Sequence, residues 1–407
     1  MANTTYEDIK KIIKERVTEK LDYYREMEDE EIRNLIDEVI VAASRDYRLS
    51  LSDRLNMSKE LFYSIRRLDI LEELTGDSEV TEIMINGCDN IFVERSGILS
   101  KWEKTFESRE KLEDVIQKIV AECNRTVNES QPIVDARYNG ARVNVVLPPI
   151  ALNGPIVTIR RFPKEPMTME KLKEYGAIND EVIEFLRKLV EAKYNIIISG
   201  GTGSGKTTFL NALSNYIPKD QRLITIEDSA ELQIVGVPNL VRLETRNANV
   251  SGCREISIRD LIKASLRMRP DRIIVGEVRG AEAIDMIQAL NTGHDGSLST
   301  GHANSARDML SRLETMILMG MELPLSAVRG QLAGGIDIIV HLGRLRDKSR
   351  KVLHIDEVLS FNNGEIETNR LYEFTATGED NGHIVGRLIK TGSLQNVSKL
   401  EAAGITI

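Results

Sequence analysis

Apolar side chains recur every three to four residues in three stretches near the N-terminus: Ile9, Ile12, Ile13, Val17 and Leu21; Ile32, Leu35, Ile36 and Val39; Leu61, Ile65 and Leu68. That period predicts amphipathic helices that bury their stripes against one another in a small helical bundle over residues 1–69. A membrane-surface helix over 6–21 is the alternative, and the acidic residues there favour a packed one. From about residue 78 the period falls to two. Val80-Thr-Glu-Ile-Met-Ile85 and Ile91-Phe-Val-Glu94, with turns at Gly87 and Ser96-Gly97, predict short hairpin strands. Helical spacing returns at Leu112, Val115, Ile116, Ile119 and Val120, followed by strand-like runs over 141–147 and 156–161. Residues 70–162 therefore read as a mixed α+β domain.

Phe162-Pro-Lys-Glu-Pro166 continues neither a strand nor a helix and predicts a linker or hinge over 163–178. Beyond it, Val182, Leu186, Leu189 and Val190 mark a helix leading into a short buried strand, Ile196 to Ile198. Another helix is expected from Phe209 through Leu213. Leu223-Ile-Thr-Ile-Glu-Asp228 and Arg272-Ile-Ile-Val-Gly-Glu277 are apolar strands that each end in acid. Strands alternating with helices predict an α/β domain with a parallel sheet over 179–407.

Composition alters this picture little. Of 407 residues, 41% are hydrophobic and 29% charged, as in an ordinary globular protein of two or three domains. No apolar run approaches the roughly 20 residues that span a bilayer, and the charged, amphipathic N-terminus is unlike a signal peptide, so a cytoplasmic protein is expected. A net charge of −9 argues against broad nucleic-acid binding, and no stable nucleic-acid partner is expected. The run Arg344-Leu-Arg-Asp-Lys-Ser-Arg-Lys351 could form a local basic groove or a solvated turn between strands. The three cysteines, Cys88, Cys123 and Cys253, form no Cys-x-x-Cys pair and support neither a disulfide framework nor a thiolate zinc site.

The candidate chemistry begins directly after Ile196–Ile198, at Gly200-Gly-Thr-Gly-Ser-Gly-Lys206-Thr-Thr208. Gly-x-x-x-x-Gly-Lys-Thr between a strand and a helix is a P-loop. Its glycines allow consecutive N–H groups to turn inward around a phosphate, and the helix beginning near Lys206 adds its positive dipole end. Gly201, Thr202, Gly203, Ser204, Gly205, Lys206, Thr207 and Thr208 are the expected phosphate cradle, with Lys206 on the β- and γ-phosphates and the Thr207 hydroxyl on Mg²⁺. ATP and Mg²⁺ are the expected ligands.

In an open parallel sheet, ligands bind at the C-terminal ends of the strands, so Glu227, Asp228 and Glu277 are expected to converge on that site. Glu277 has the position of a carboxylate that orients or deprotonates the attacking water. Glu227 supports the metal's water shell. Arg137, Arg142, Arg160 and Arg161 each read singly as surface charge; as a set beside a P-loop domain they fit guanidinium groups for a triphosphate. His294 and His302, in Thr292-Gly-His-Asp-Gly-Ser-Leu-Ser-Thr-Gly-His-Ala-Asn304, are two of five histidines. Structural roles, a zinc pair and sensing of a phosphate all stand as readings, and the lack of another nearby Cys or His in sequence counts against zinc.

The P-loop, Thr225-Ile-Glu-Asp-x-x-Glu231-Leu, Arg269-Pro-Asp-Arg-Ile-Ile-Val-Gly-Glu-Val-Arg-Gly280 and the Gly-His-x-Gly-Ser-Leu-Ser-Thr-x-His-Ala-Asn box occur here in an order that resembles the type II/IV secretion ATPases. Val80-Thr-Glu-Ile-Met-Ile-Asn-Gly, Val134-Asp-Ala-Arg-Tyr-Asn-Gly-Ala-Arg-Val and Ile159-Arg-Arg-Phe162 add to the likeness, which runs from about residue 70 to the C-terminus. The subfamily most resembled is CpaF, which assembles Flp pili. The chain departs from the family pattern at Cys253-Arg254 and Gly334-Gly335. The resemblance implies a RecA-like P-loop domain preceded by an α+β (PAS-like) domain and the helical bundle. It also implies a homo-hexamer at the inner membrane working with polytopic platform proteins, and nucleotide held between the two larger domains. On the same ground Arg160 and Arg161 contact phosphate within their own chain, Arg137 and Arg142 act across a subunit boundary, and Arg279, His294 and His302 join the site. Metal contacts fall to Thr207, Glu227 and Glu277, and catalysis to Glu277, Glu227 and Lys206.

The leading functional expectation is an ATP-driven motor for Flp-type pilus assembly or secretion. A type IV secretion traffic ATPase exporting DNA or protein is the alternative, and a nucleic-acid translocase a further one. A nucleotide-gated adaptor would lack the catalytic acids that are present.

Overall fold

The computed structural model describes residues 5–21, 27–95, 97–161, 166–246, 254–380 and 382–406. Phe162, residues 163–165 of the expected hinge, Ser96 and Cys253 lie outside the described residues. The chain divides into two compact units, Met1–Pro163 and Lys164–Ile407.

In the first unit, α1 (Tyr6–Lys20), α2 (Asp29–Ala43) and α3 (Leu51–Arg66) precede the short α4 (Leu71–Gly76). Capping boxes Thr5–Asp8 and Ser50–Asp53 satisfy the first amides of α1 and α3. The apolar stripes close on each other, burying Ile9, Ile13, Val17, Ile32, Ile36, Met57 and Leu61 in one cluster. Then come β1 (Val80–Asn86), β2 (Ile91–Arg95), β3 (Ile98–Lys101), α5 (Arg109–Glu122), β4 (Ile133–Tyr138), β5 (Ala141–Val146) and β6 (Ile156–Arg160). They form an antiparallel sheet in the order β3-β2-β1-β6-β5-β4. Strict alternation, as in Ala141, Val143 and Val145, turns one face onto α5, where Leu112, Val115 and Ile119 are buried.

The second unit contains α6 (Met169–Glu174), α7 (Asp180–Glu191), β7 (Ile196–Gly200), α8 (Lys206–Ser214), β8 (Leu223–Glu227), β9 (Leu240–Glu244), α9 (Ile258–Ser265), β10 (Arg272–Val275), α10 (Ala283–Asn291) and β11 (Leu298–His302). After these come α11 (Ala306–Gly320), α12 (Leu325–Gly335), β12 (Ile338–Arg344), β13 (Arg350–Asn362), β14 (Glu365–Asp380), β15 (His383–Lys390) and α13 (Ser398–Ala403). The sheet order is β15-β14-β13-β12-β7-β11-β10-β8-β9. From β12 to β9 every pairing is parallel, and β12 to β15 pair antiparallel as an appended meander. Two apolar clusters cover the faces, one holding residues of α7 and α8, the other residues of α9 to α12. Because both faces are covered, β7, β8 and β10 are buried at every residue and read as continuous apolar runs. No described helix is long and apolar enough to cross a membrane.

Candidate nucleotide site

The parallel register brings four strand ends to one edge. The glycine-rich loop follows β7, Glu227 closes β8, Glu277 stands two residues beyond β10, and His302 closes β11 directly beside Gly200. Gly205, at φ +92°, caps α8, and Gly203 also adopts a positive φ of 72°. Gly200 has no room for a Cβ, which would stand 2.5 Å from the Leu342 carbonyl oxygen of β12. The loop thus needs glycine at these points for both conformation and space.

Lys206 is buried, with Nζ donating to the Gly201 carbonyl at 2.9 Å and lying 3.2 Å from His302 Nδ1. Burial lowers its pKa, the nearby Glu277 charge opposing that shift. His302 Nε2 lies 2.8 Å from Glu277 Oε1. With Nδ1 accepting from Lys206, the neutral ring has its proton on Nε2, close to Glu277 Oε1 but not aligned on it: among the described residues that oxygen has no hydrogen-bond partner. Burial, followed by the Lys206 charge, lowers the His302 pKa and keeps the ring neutral. The other Glu277 oxygen accepts from Arg279 Nη2 at 2.8 Å, and Arg279 Nη1 lies 3.6 Å from Asp228. Lys206, His302, Glu277, Arg279 and Asp228 form one polar chain along the sheet edge.

Glu227 is 3% exposed. Its Oε1 accepts the backbone N–H groups of Glu231 and Leu232 at 2.8 and 2.7 Å. Oε2 is buried and, among the described residues, has no hydrogen-bond partner. Burial outweighs the two amides and pushes the carboxyl up to about 7. A buried oxygen without a partner costs free energy unless a ligand, ion or water takes it up, so the donor set fits a hydrated cation held with Thr207 and Glu277.

The sequence-predicted histidines part company. Only His302 reaches this edge. His294 precedes β11 at the other end of the sheet, with Nδ1 3.2 Å from the Ala289 carbonyl, near Gly296, whose amide donates to Asn195 at the start of β7. The expectation of two imidazoles at one phosphate is corrected here: His294 precedes β11 and His302 is its last residue, so the extended strand puts them at opposite ends.

In the first unit the strand register lines up three of the four arginines. Arg137 faces Arg142 across β4 and β5, and Arg142 faces Arg160 across β5 and β6, with Glu82 of β1 next in the row. Like charges directly opposite are unfavourable, and acids meet the row at Asp135, 3.8 Å from Arg142, and at Glu82, opposite Arg160. Arg161 is not in it: its guanidinium donates to the Asp77 and Val80 carbonyls.

Sequence reasoning missed the imidazole standing between Lys206 and Glu277 and the backbone amides on Glu227. It also missed Arg350 of β13, whose Nε donates to the Gly203 carbonyl at 2.8 Å across 147 positions of chain. The first depends on β11 pairing beside β7. Arg350 lies in the charged run 344–351, which does form a turn between strands, β12 and β13, but its contact with Gly203 had no signal in the linear sequence.

A parallel sheet whose central strand runs into Gly-x-x-x-x-Gly-Lys-Thr, with carboxylates on neighbouring strand ends, defines a P-loop nucleoside triphosphatase. The model of the Type II/IV secretion system protein family matches residues 66–387, and this chain belongs to that family. Conjugal transfer protein TrbB of Rhizobium radiobacter is 32% identical over 315 residues, covering 76% of this chain and 91% of TrbB. Type IV secretion system protein VirB11 of Brucella suis is 34% identical over 316 residues, covering 68% and 84%. A Mycobacterium tuberculosis protein named for conjugal transfer is 34% identical over 293 residues, covering 70% and 83%. In fold, the chain resembles the Legionella pneumophila ATPase DotB (20% identity, TM-score 0.50, 72% of this chain and 80% of that one). It is similarly like the pilus retraction motor PilT (19%, 0.51, 83% and 87%). The chain is an ATPase of α/β fold.

Proposed function

We propose that this ATPase serves type IV secretion or conjugal transfer, working as a hexamer against an inner-membrane platform. The carrying observation is its 32–34% identity, over roughly two thirds or more of the chain, to proteins named for conjugal transfer and type IV secretion. These relatives favour this reading over Flp pilus assembly, which the CpaF resemblance had placed first. The likeness to PilT is one of fold alone.

At the site, Lys206 and the loop amides bind the triphosphate; a role for the arginines of the first unit toward the same ligand rests on the family resemblance alone. Thr207, Glu227 and Glu277 would hold Mg²⁺, which when bound neutralises charge on the phosphates. Glu277 orients the attacking water and accepts its proton; His302 and Arg279 set the direction of that carboxylate. The hexamer, Mg²⁺ and the membrane platform follow from the family resemblance. Deletion of the gene should abolish transfer of DNA or secreted protein to a recipient, and a Lys206→Ala gene should fail to restore it. Intact transfer with loss of surface pili would instead return the Flp reading to first place.

A further inference from the structure

The β12–β13 hairpin embraces the phosphate loop at two points. Under its root, the Leu342 carbonyl leaves no space for a side chain at Gly200. Over its crown, Arg350, the first residue of β13, donates from Nε to the Gly203 carbonyl at 2.8 Å. Its Cδ lies 3.4 Å from where a Cβ on Gly205 would stand. Gly203 and Ser204 share one planar peptide, so the Gly203 carbonyl and the Ser204 N–H point in opposite directions. On the far side from Arg350, the Ser204 N–H lies 3.3 Å from the Gly201 oxygen, the acceptor on which Lys206 Nζ also converges at 2.9 Å. Two donors that a P-loop aims at phosphate thus already share one oxygen, and Arg350 holds the back of the peptide that carries one of them.

Arg350 is itself held in place. The turn before it is closed by Leu345 N–H to the Ser349 carbonyl at 2.8 Å and by Asp347, which accepts from Ser349 N and Oγ. Asp347 also accepts the Ile384 N–H of β15 at 2.8 Å, and Arg346 pairs with Glu379 of β14 at 2.8 Å. The turn is therefore braced on the next hairpin of the same sheet.

We propose that Arg350 is a positioning residue for nucleotide binding: it fixes the Gly203–Ser204 peptide so that the Ser204 N–H faces the bound phosphate. The inference rests on the P-loop being the nucleotide site and adds to it a residue outside the motif. A fixed peptide lowers the cost of organising the cradle, so the effect appears in affinity rather than in the chemical step.

The test uses the full chain, a fluorescent ADP and steady-state ATP hydrolysis. Arg350→Ala should weaken ADP binding and raise KM by about tenfold, the scale of one hydrogen bond from a charged donor, with kcat at saturating ATP within about twofold of wild type. The loss should persist between low and high salt. Arg344 faces Arg350 across the hairpin and is exposed, so Arg344→Ala removes a neighbouring charge and should leave affinity within about twofold. Equal losses in both variants that vanish in high salt would reduce the effect to general electrostatics and overturn the inference. Unchanged binding by Arg350→Ala while Lys206→Ala loses it overturns the Arg350 role alone. Unchanged binding by both overturns the P-loop reading beneath it.

Discussion

Glu227→Gln isolates the free energy stored at the end of β8. In the folded chain the carboxyl is pushed up to about 7 from an ordinary 4.5, because burial outweighs the two amide hydrogen bonds to Oε1. The folded state therefore holds this proton more tightly than the unfolded one, and the stabilisation it gives is present at low pH and lost as pH rises through about 7. For those two values the proton contributes roughly 2 kcal/mol at pH 5.5 and close to nothing at pH 8. Hydrogen exchange of the β8 amides, Leu223 to Glu227, in EDTA reads the opening free energy of this element without requiring both units to unfold together. Wild type should lose roughly 2 kcal/mol of protection free energy between those pH values relative to Glu227→Gln, after correction for intrinsic exchange. Adding Mg²⁺ with a non-hydrolysable ATP analogue should remove the difference, since a nearby cation favours the ionised carboxylate. Identical pH dependence in wild type and variant without nucleotide would mean that Glu227 is already ionised at rest and that burial does not outweigh the two amide hydrogen bonds.

Gly296→Ala should be among the most damaging small substitutions. Gly296 has φ +81°, and its new Cβ would stand 2.5 Å from Nη1 of the fully buried Arg272, so a loss of about 2–4 kcal/mol is expected in thermal unfolding. A melting temperature within a degree of wild type would refute that. If Arg137 or Arg142 completes a neighbouring subunit's site, ATPase activity per chain should rise with protein concentration. An Arg137→Ala, Arg142→Ala chain should also be partly rescued by mixing with Lys206→Ala chains. Constant activity per chain down to concentrations where sedimentation shows only monomer would confine those arginines to their own subunit.

The elements with strong periodicity were readable in advance. The stripe from Ile9 to Val17 became the buried face of α1, and the apolar triplet Ile196–Ile198 became β7 because helices cover both faces of its sheet. Strands near the C-terminus were expected from the turn-like run 344–351, but β14 shows why the extent of the meander was not: much of its length is exposed on both faces, so neither alternation nor a continuous apolar run marks it. The arginine row was legible in principle. Asn139-Gly140, with φ of 46° and 79°, makes a two-residue hairpin turn, and such a turn places Arg137 opposite Arg142. Where β6 pairs, and hence that Arg160 extends the row, depends on contacts distant in sequence. The same holds for Arg350 on Gly203 and for His294 falling at the far end of β11, where counting residues between the two histidines misjudged what an extended strand does with them.

The most direct measurement compares Lys206→Ala and Glu277→Gln by nucleotide titration and phosphate release on the same preparations. Lys206 contacts the loop that would cradle the phosphates, so its loss should weaken nucleotide binding. Glu277 lies beyond the end of β10, with Arg279 donating to one oxygen and His302 close to the other, so Glu277→Gln should bind nucleotide with near wild-type affinity while turnover falls by a factor on the order of 10² or more. Near-normal turnover by Glu277→Gln, or unaltered affinity in Lys206→Ala, would contradict the account of this sheet edge as the place where ATP is held and cleaved.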